Sequence, residues 1–173
     1  TALAGGGEEE SGERGRQISS RTFRVVNPGI IGKTVERFLE DEKQWGMVLS
    51  RLQRGGDTSL VYPDTVLQGD DLVVAVGDEA ALKRARELFG EESTREIQHE
   101  HQDLDYRRVE VSSKRVIGKT VGELRLQDTL DATITRLRRG DVDFVPTLDT
   151  VVERGDRIRV LTWVGNVERV TKF

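Results

Sequence analysis

The pentapeptide Ile31-Gly32-Lys33-Thr34-Val35 returns as Ile117-Gly118-Lys119-Thr120-Val121, and no other feature constrains this chain as much. The match runs on. Ser50-Arg51-Leu52-Gln53-Arg54-Gly55 is answered by Thr135-Arg136-Leu137-Arg138-Arg139-Gly140, and Asp64-Thr65-Val66 by Asp149-Thr150-Val151. Gly69-Asp70-Asp71-Leu72 is answered by Gly155-Asp156-Arg157-Ile158 after a one-residue slip. Landmarks in one order at nearly constant spacing predict one unit written twice. A unit of roughly 70 residues has a limited core of its own, so the two copies are expected to pack on each other.

Local patterns then predict an α+β fold with two tandem β-α-β-β-β-α copies. Residues 22–26 and 108–112 read as first strands, the second of them alternating polar and apolar residues as a half-buried strand does. A short helix follows in each copy, with Thr34 placed as N-cap in the first and Thr120-Val121-Gly122-Glu123 forming a capping box in the second. Residues 47–52 and 132–137 read as second strands. Strict alternation puts Met47, Leu49 and Arg51 on one face, and Ala132, Ile134 and Arg136 on the matching face. Tight glycine turns at Gly55-Gly56 and Gly140 lead to third strands around residues 60–62 and 144–145. Fourth strands at 72–76 and 158–162 precede a helix with Asp78 as N-cap, Leu82, Ala85, Leu88 and Phe89 inward, and Gly90 as its stop. The equivalent helix begins near Asn166 and is cut short at Phe173. Residues 1–20, with Gly5-Gly6-Gly7 and Glu8-Glu9-Glu10, read as a flexible tether, and 91–105 as a polar linker between copies at 21–90 and 106–173. A threonine start and the shortened last helix predict a piece of a longer protein.

Composition narrows the function classes. A net charge of -4 argues against a sequence-independent grip on nucleic acid, and the longest aliphatic run is far shorter than the roughly 18 residues of a spanning helix. Without cysteine there is neither a disulfide nor a thiolate site. The two Gly-Lys-Thr triplets are not phosphate loops, because that motif needs glycine where Asn27 and Ser113 stand. His99 and His101, with Glu96 and Asp103 nearby, lie in the linker, where a solvated stretch is favoured over a metal site, since zinc usually takes three or four ligands from ordered elements. No nucleophile and base fall into a catalytic pattern, so no enzyme and no cofactor are expected.

What remains is basic. Arg51, Arg54, Arg136 and Arg139 cluster near the second-strand ends and the turns after them. An arginine fork holds carboxylate or phosphate bidentately. Two readings stay open for these four: a site for an anionic ligand, or ion pairs inside the chain with acids such as Asp70, Asp71 or Asp156.

The order Ile-Gly-Lys-Thr-Val, Arg-Leu-x-Arg-Gly, Asp-Thr, then Gly-Asp before aliphatics and Val76-Gly77-Asp78 resembles the TrkA-C domain, the C-terminal half of RCK regulators. Two such units joined by a polar stretch resemble the cytosolic loop of aspartate:alanine exchanger family transporters. The resemblance covers residues 22–173 and implies a non-catalytic regulatory region on the cytosolic face of a bacterial or archaeal membrane, between membrane-embedded halves of the same polypeptide. It further implies homodimerisation and sensing of a small anionic ligand such as a cyclic dinucleotide. The rival reading is the regulatory domain of a potassium channel or potassium transporter. The Gly-x-Gly-x-x-Gly half of a full RCK unit is missing here, so NAD is not implied.

Overall fold

Alternating and continuous apolar runs give strands wherever the chain can bury one face, and a computed structural model places them in two antiparallel sheets. It describes residues 17–39, 46–95, 97 and 103–172. The first sheet comprises β1 (Ser19–Val25), β2 (Met47–Arg54), β3 (Asp57–Leu60), β4 (Leu72–Gly77) and β5 (Gly90–Glu92), ordered β3-β2-β4-β1-β5. The second comprises β6 (Leu104–Glu110), β7 (Ala132–Arg139), β8 (Val142–Phe144) and β9 (Arg157–Trp163), ordered β6-β9-β7-β8.

Helices cover one face of each sheet. Helix α1 (Val35–Phe38) and the longer α2 (Glu79–Phe89) pack on the first. Asp78 caps α2 by accepting from the Ala81 amide at 2.8 Å, and Gly90 ends it at a φ of 105°, a left-handed conformation that suits glycine. Ala81, Leu82, Ala85 and Phe89 of α2 are fully buried against Phe23, Val25, Leu49, Val73 and Ala75, with the Phe23 and Phe89 rings stacked at 5.9 Å. Helices α3 (Val121–Leu124), α4 (Leu126–Leu130) and α5 (Val167–Lys172) cover the second sheet, where Leu124, Leu130, Ala132, Ile134, Val160 and Val170 form the core. The capping box is present in α3: Thr120 accepts from the Glu123 amide at 3.2 Å, and Glu123 accepts from the Thr120 amide at 2.7 Å. Thr34 holds the N-cap position of α1 without a side-chain capping bond.

The alternation expected for the second strands fails at one point in each. In β2, Leu49 pairs with Ala75 but Arg51 pairs with Val74, so Ser50 is an extra residue in a β-bulge. In β7, Ile134 pairs with Val160 and Arg136 with Arg159, leaving Thr135 extra. A bulge shifts the side-chain phase by one, so Arg51 and Arg136 leave the helix-covered face and point away from Leu49 and Ile134. The third strands also begin earlier than expected, directly after the turns.

Two more expectations are revised. The one-residue slip is absent: Asp71 and Asp156 take the same place, and Asp70, at a φ of 68°, occupies the left-handed position that Gly155 holds at 84°. Of the stretch read as linker, Glu91 and Glu92 extend the first sheet as β5 on β1, Ile97 is buried against Leu72 and Val74, and Leu104 opens β6. Strand β1 begins at Ser19, inside the stretch read as tether; the rest of that reading, and the pair His99 and His101, lie outside the described residues.

The helix-free faces meet. Leu60 of β3 joins Leu104 and Leu161 of the second sheet in a cluster flanked by Tyr62, Tyr106 and Trp163. The Tyr62 hydroxyl donates to Asp131 Oδ1 at 3.2 Å, and desolvation leads the causes that push this phenol up. None of the described helices is long and apolar enough to cross a membrane.

Candidate functional site

The four arginines divide into two pairs with different surroundings. Arg54 and Arg139 sit at the ends of β2 and β7, where the chain turns back, and each fork closes on a carboxylate beneath it. Arg54 donates from Nε to Asp71 Oδ1 at 2.8 Å and from Nη2 to Asp71 Oδ2 at 2.6 Å. Arg139 does the same to Asp156, at 2.9 and 2.8 Å. Each Nη2 also donates to a backbone carbonyl, of Val66 at 2.9 Å and Val151 at 2.8 Å. Each carboxylate, 1% exposed, accepts in addition from the amide three residues before it, Gln68 or Glu153, at 2.8 Å. Bidentate charge-assisted bonds to a buried acid favour both charged forms. The hydrogen bond with Asp156 leads in holding the Arg139 guanidinium up, and its return holds the Asp156 carboxyl below the ordinary range. The bond to Asp71 likewise raises Arg54. These two arginines are clamps that tie the hairpin turn to the loop before the next long strand.

Arg51 and Arg136, turned by their bulges, line one cavity of about 420 Å³ between the sheets, and neither Arg54 nor Arg139 reaches it. Arg51 is buried, and its guanidinium lies 4.9 Å from the centre of the Tyr106 ring. Arg159, which sequence reasoning did not single out, stands 4.3 Å from the same ring. Burial pushes the Arg136 guanidinium down, and the charge of Arg159 adds to that. Hydroxyls of Thr22, Ser93 and Thr135 share the lining, with Glu92 its one carboxylate among the described residues. Glu92 already faces Arg21 at 3.8 Å. The arrangement is an electropositive space with an aromatic wall, of a kind that suits an anion. A second, more apolar space of about 330 Å³ lies between the starts of β2 and β7, walled by Met47, Leu49, Ala132 and Ile134. Among the described residues no group of His, Asp or Glu is arranged to hold a metal.

The apolar spacing carried the missed signal. Leu49 to Leu52 and Ile134 to Leu137 step by three where an unbroken strand steps by two, with a small hydroxyl residue after the first member each time. The hydroxyls serve the bulge: Ser50 Oγ donates to the Val74 carbonyl at 3.4 Å and Thr135 Oγ1 to that of Arg159 at 3.3 Å.

Residues 106–173 match the model of the TrkA-C domain. An uncharacterised transporter of Geobacter sulfurreducens is 41% identical over 163 residues, which is 94% of this chain and 30% of that protein. Another, of Symbiobacterium thermophilum, is 37% identical over 146 residues, 84% of this chain and 27% of that protein. The chain thus spans under a third of the length of these relatives. Among solved structures, the GsuK RCK domain superimposes with a TM-score of 0.43 at 11% identity, covering 90% of this chain and 63% of its own. A TrkA-C domain is therefore found at residues 106–173, in a chain whose relatives are transporters.

Proposed function

We propose that this chain is the regulatory region of a secondary membrane transporter for an amino acid or another small anion, built of two copies of the TrkA-C fold and itself non-catalytic. The observation that carries the reading is the extent of the match: 94% of this chain aligns with a transporter of which it makes up 30%. That share leaves ample length for membrane-embedded halves of the same polypeptide. In this reading the region lies at the cytosolic face of a bacterial or archaeal membrane and acts as a homodimer. The two-copy reading is supported by the shared strand order β3-β2-β4-β1 and β8-β7-β9-β6, by a bulge at the same point of β2 and β7, and by the paired clamps Arg54 with Asp71 and Arg139 with Asp156. Sensing of a small anion falls to Arg51 and Arg136, with Arg54 and Arg139 holding the frame.

The test has two steps. The complete reading frame should place hydrophobic segments of about 20 residues on both sides of this chain. The whole protein, reconstituted in liposomes, should then exchange small amino acids or dicarboxylates, at a rate that changes when the contact between the sheets is broken by Leu161→Asp. A frame without such segments, or exchange indifferent to that substitution, overturns the proposal. Flux of potassium in place of an organic anion would select the potassium-regulator reading instead.

A further inference from the structure

The bulge that redirects Arg136 sets it directly opposite Arg159 on β9, and Arg159 is directly opposite Arg108 on β6. Three guanidinium-bearing residues therefore stand side by side across three adjacent strands, on the face turned to the other sheet. Opposed residues of neighbouring strands are close, and like charges so placed destabilise a sheet. The same row in the first sheet reads Arg51, Val74, Thr22, with one charge. Neither Arg136 nor Arg159 forms an ion pair with a described carboxylate, and burial together with the charges of Arg159 and Arg108 pushes the Arg136 guanidinium down. Asp143 offsets part of this charge on Arg136 without forming an ion pair with it among the described residues. Arg51, reaching across from the first sheet to the face of Tyr106, closes the space over Arg136 and Arg159.

We infer that the pair Arg136 and Arg159, closed over by Arg51, is a binding site for a small anion bearing two or more phosphate or carboxylate groups, with the exposed Arg108 at the outer end of the row. A single charge would leave the row under repulsion. Two or more, spaced along one molecule, satisfy neighbouring forks together, and the roughly 4.8 Å between strands sets the scale of that spacing. Because the site takes Arg51 from one sheet and the row from the other, an occupant tightens the packing of the two sheets. This inference deepens the sensing part of the proposed function. Binding is read on this chain and transport on the whole protein, so the two fail separately.

The experiment is thermal unfolding and titration calorimetry of the full chain with tripolyphosphate and with citrate, each against sodium chloride at equal ionic strength. At a hundredfold excess over the dissociation constant the melting temperature should rise by roughly 5–10 °C with at least one of the two, and not with chloride. The stronger of the two identifies the phosphate or the carboxylate source. Arg159→Val, which gives the row the residue found at Val74, should remove the shift while leaving the unliganded chain as stable as the native one or more so. Arg136→Lys keeps the charge and loses the fork, and should weaken binding at least tenfold. No shift beyond chloride for either anion, or a shift that survives in Arg159→Val, overturns the inference. So does a lowered melting temperature of unliganded Arg159→Val, since the row would then be stabilising by itself.

Discussion

Replacing Arg139 with alanine removes three hydrogen bonds at once, two to Asp156 and one to the Val151 carbonyl, and leaves a carboxylate that is 1% exposed with the Glu153 amide as its remaining donor. Removing one member of a buried pair costs about 3–5 kcal/mol, because the other charge is stranded. The Arg139 side chain is 36% exposed, so water enters where the fork was and recovers part of that. The expected loss is about 3 kcal/mol, or roughly 6–12 °C in melting temperature for a chain of this size. Urea unfolding at pH 7, fitted for the native chain, Arg139→Ala, Asp156→Ala and the double variant, gives the coupling of the pair directly. Acid supplies an independent reading. The depressed carboxyl of Asp156 contributes stability that is complete above the ordinary carboxylate range near pH 4 and is lost as pH falls through its lowered folded value. The gap between native and Arg139→Ala should therefore be full at pH 7 and shrink below about pH 4. A coupling under about 0.5 kcal/mol, or a gap unchanged at pH 2.5, would refute the clamp argument.

Other substitutions test the remaining local arguments. Asp70→Gly relieves a left-handed residue at a φ of 68° and gives up only an exposed contact with Arg24, so urea unfolding should show a gain of about 0.5 kcal/mol. Thr120→Ala breaks the capping box and should cost about 1 kcal/mol, while Thr34→Ala, with no capping bond to lose, should stay within about 0.5 kcal/mol of native in the same assay. Leu161→Ala, at a fully buried position between the sheets, should cost about 3 kcal/mol and, in calorimetry, keep a single transition, since the two sheets lean on the same cluster.

The elements that rest on local chemistry could be read directly from the chain. Asp78 and Gly90 bound α2 because a side-chain acceptor and a left-handed glycine leave the same marks in any context, and Thr120 with Glu123 is recognisable for the same reason. The acids that hold Arg54 and Arg139 were among those the charges suggested, since an arginine at a turn finds whatever carboxylate the next loop buries. The facing of Arg51 and Arg136 was not legible from alternation, since one extra residue in each strand reverses everything after it. Arg159 escaped notice because it sits in an ordinary strand pattern, Arg157 to Trp163, and becomes significant only when register sets it against Arg136 and Arg108. Likewise, the apparent slip at Gly155-Asp156 came from matching a glycine to a glycine. The chain instead keeps the buried acid in place and lets Asp70 take the turn conformation.

The contrast between the two rows bears on how such a region could respond to a ligand. With Arg51, Val74 and Thr22 lining it from the first sheet and Arg136 and Arg159 from the second, the space between the sheets has one weakly charged wall and one strongly charged wall. Val74 also packs with Leu72 and Ile97, so the first wall is held by apolar contacts whatever occupies the space. The second wall is the one whose side chains repel each other. Its repulsion is relieved when an anion lies among the arginines, and an anion that also meets Arg51 favours closer packing of the sheets. A ligand can shift an equilibrium only by its differential affinity for the two states. Here that difference arises from Arg136 and Arg159 on the second wall together with Arg51 on the first, which an anion meets at once only when the sheets are close. Moving the charged row to the first sheet, by Val74→Arg together with Arg159→Val, should accordingly keep the number of guanidiniums in the space while transferring the repulsion to the other wall. If anion binding depends on the count of charges alone, thermal shift with tripolyphosphate will match the native chain; if it depends on Arg136 and Arg159 standing side by side, the shift will be lost.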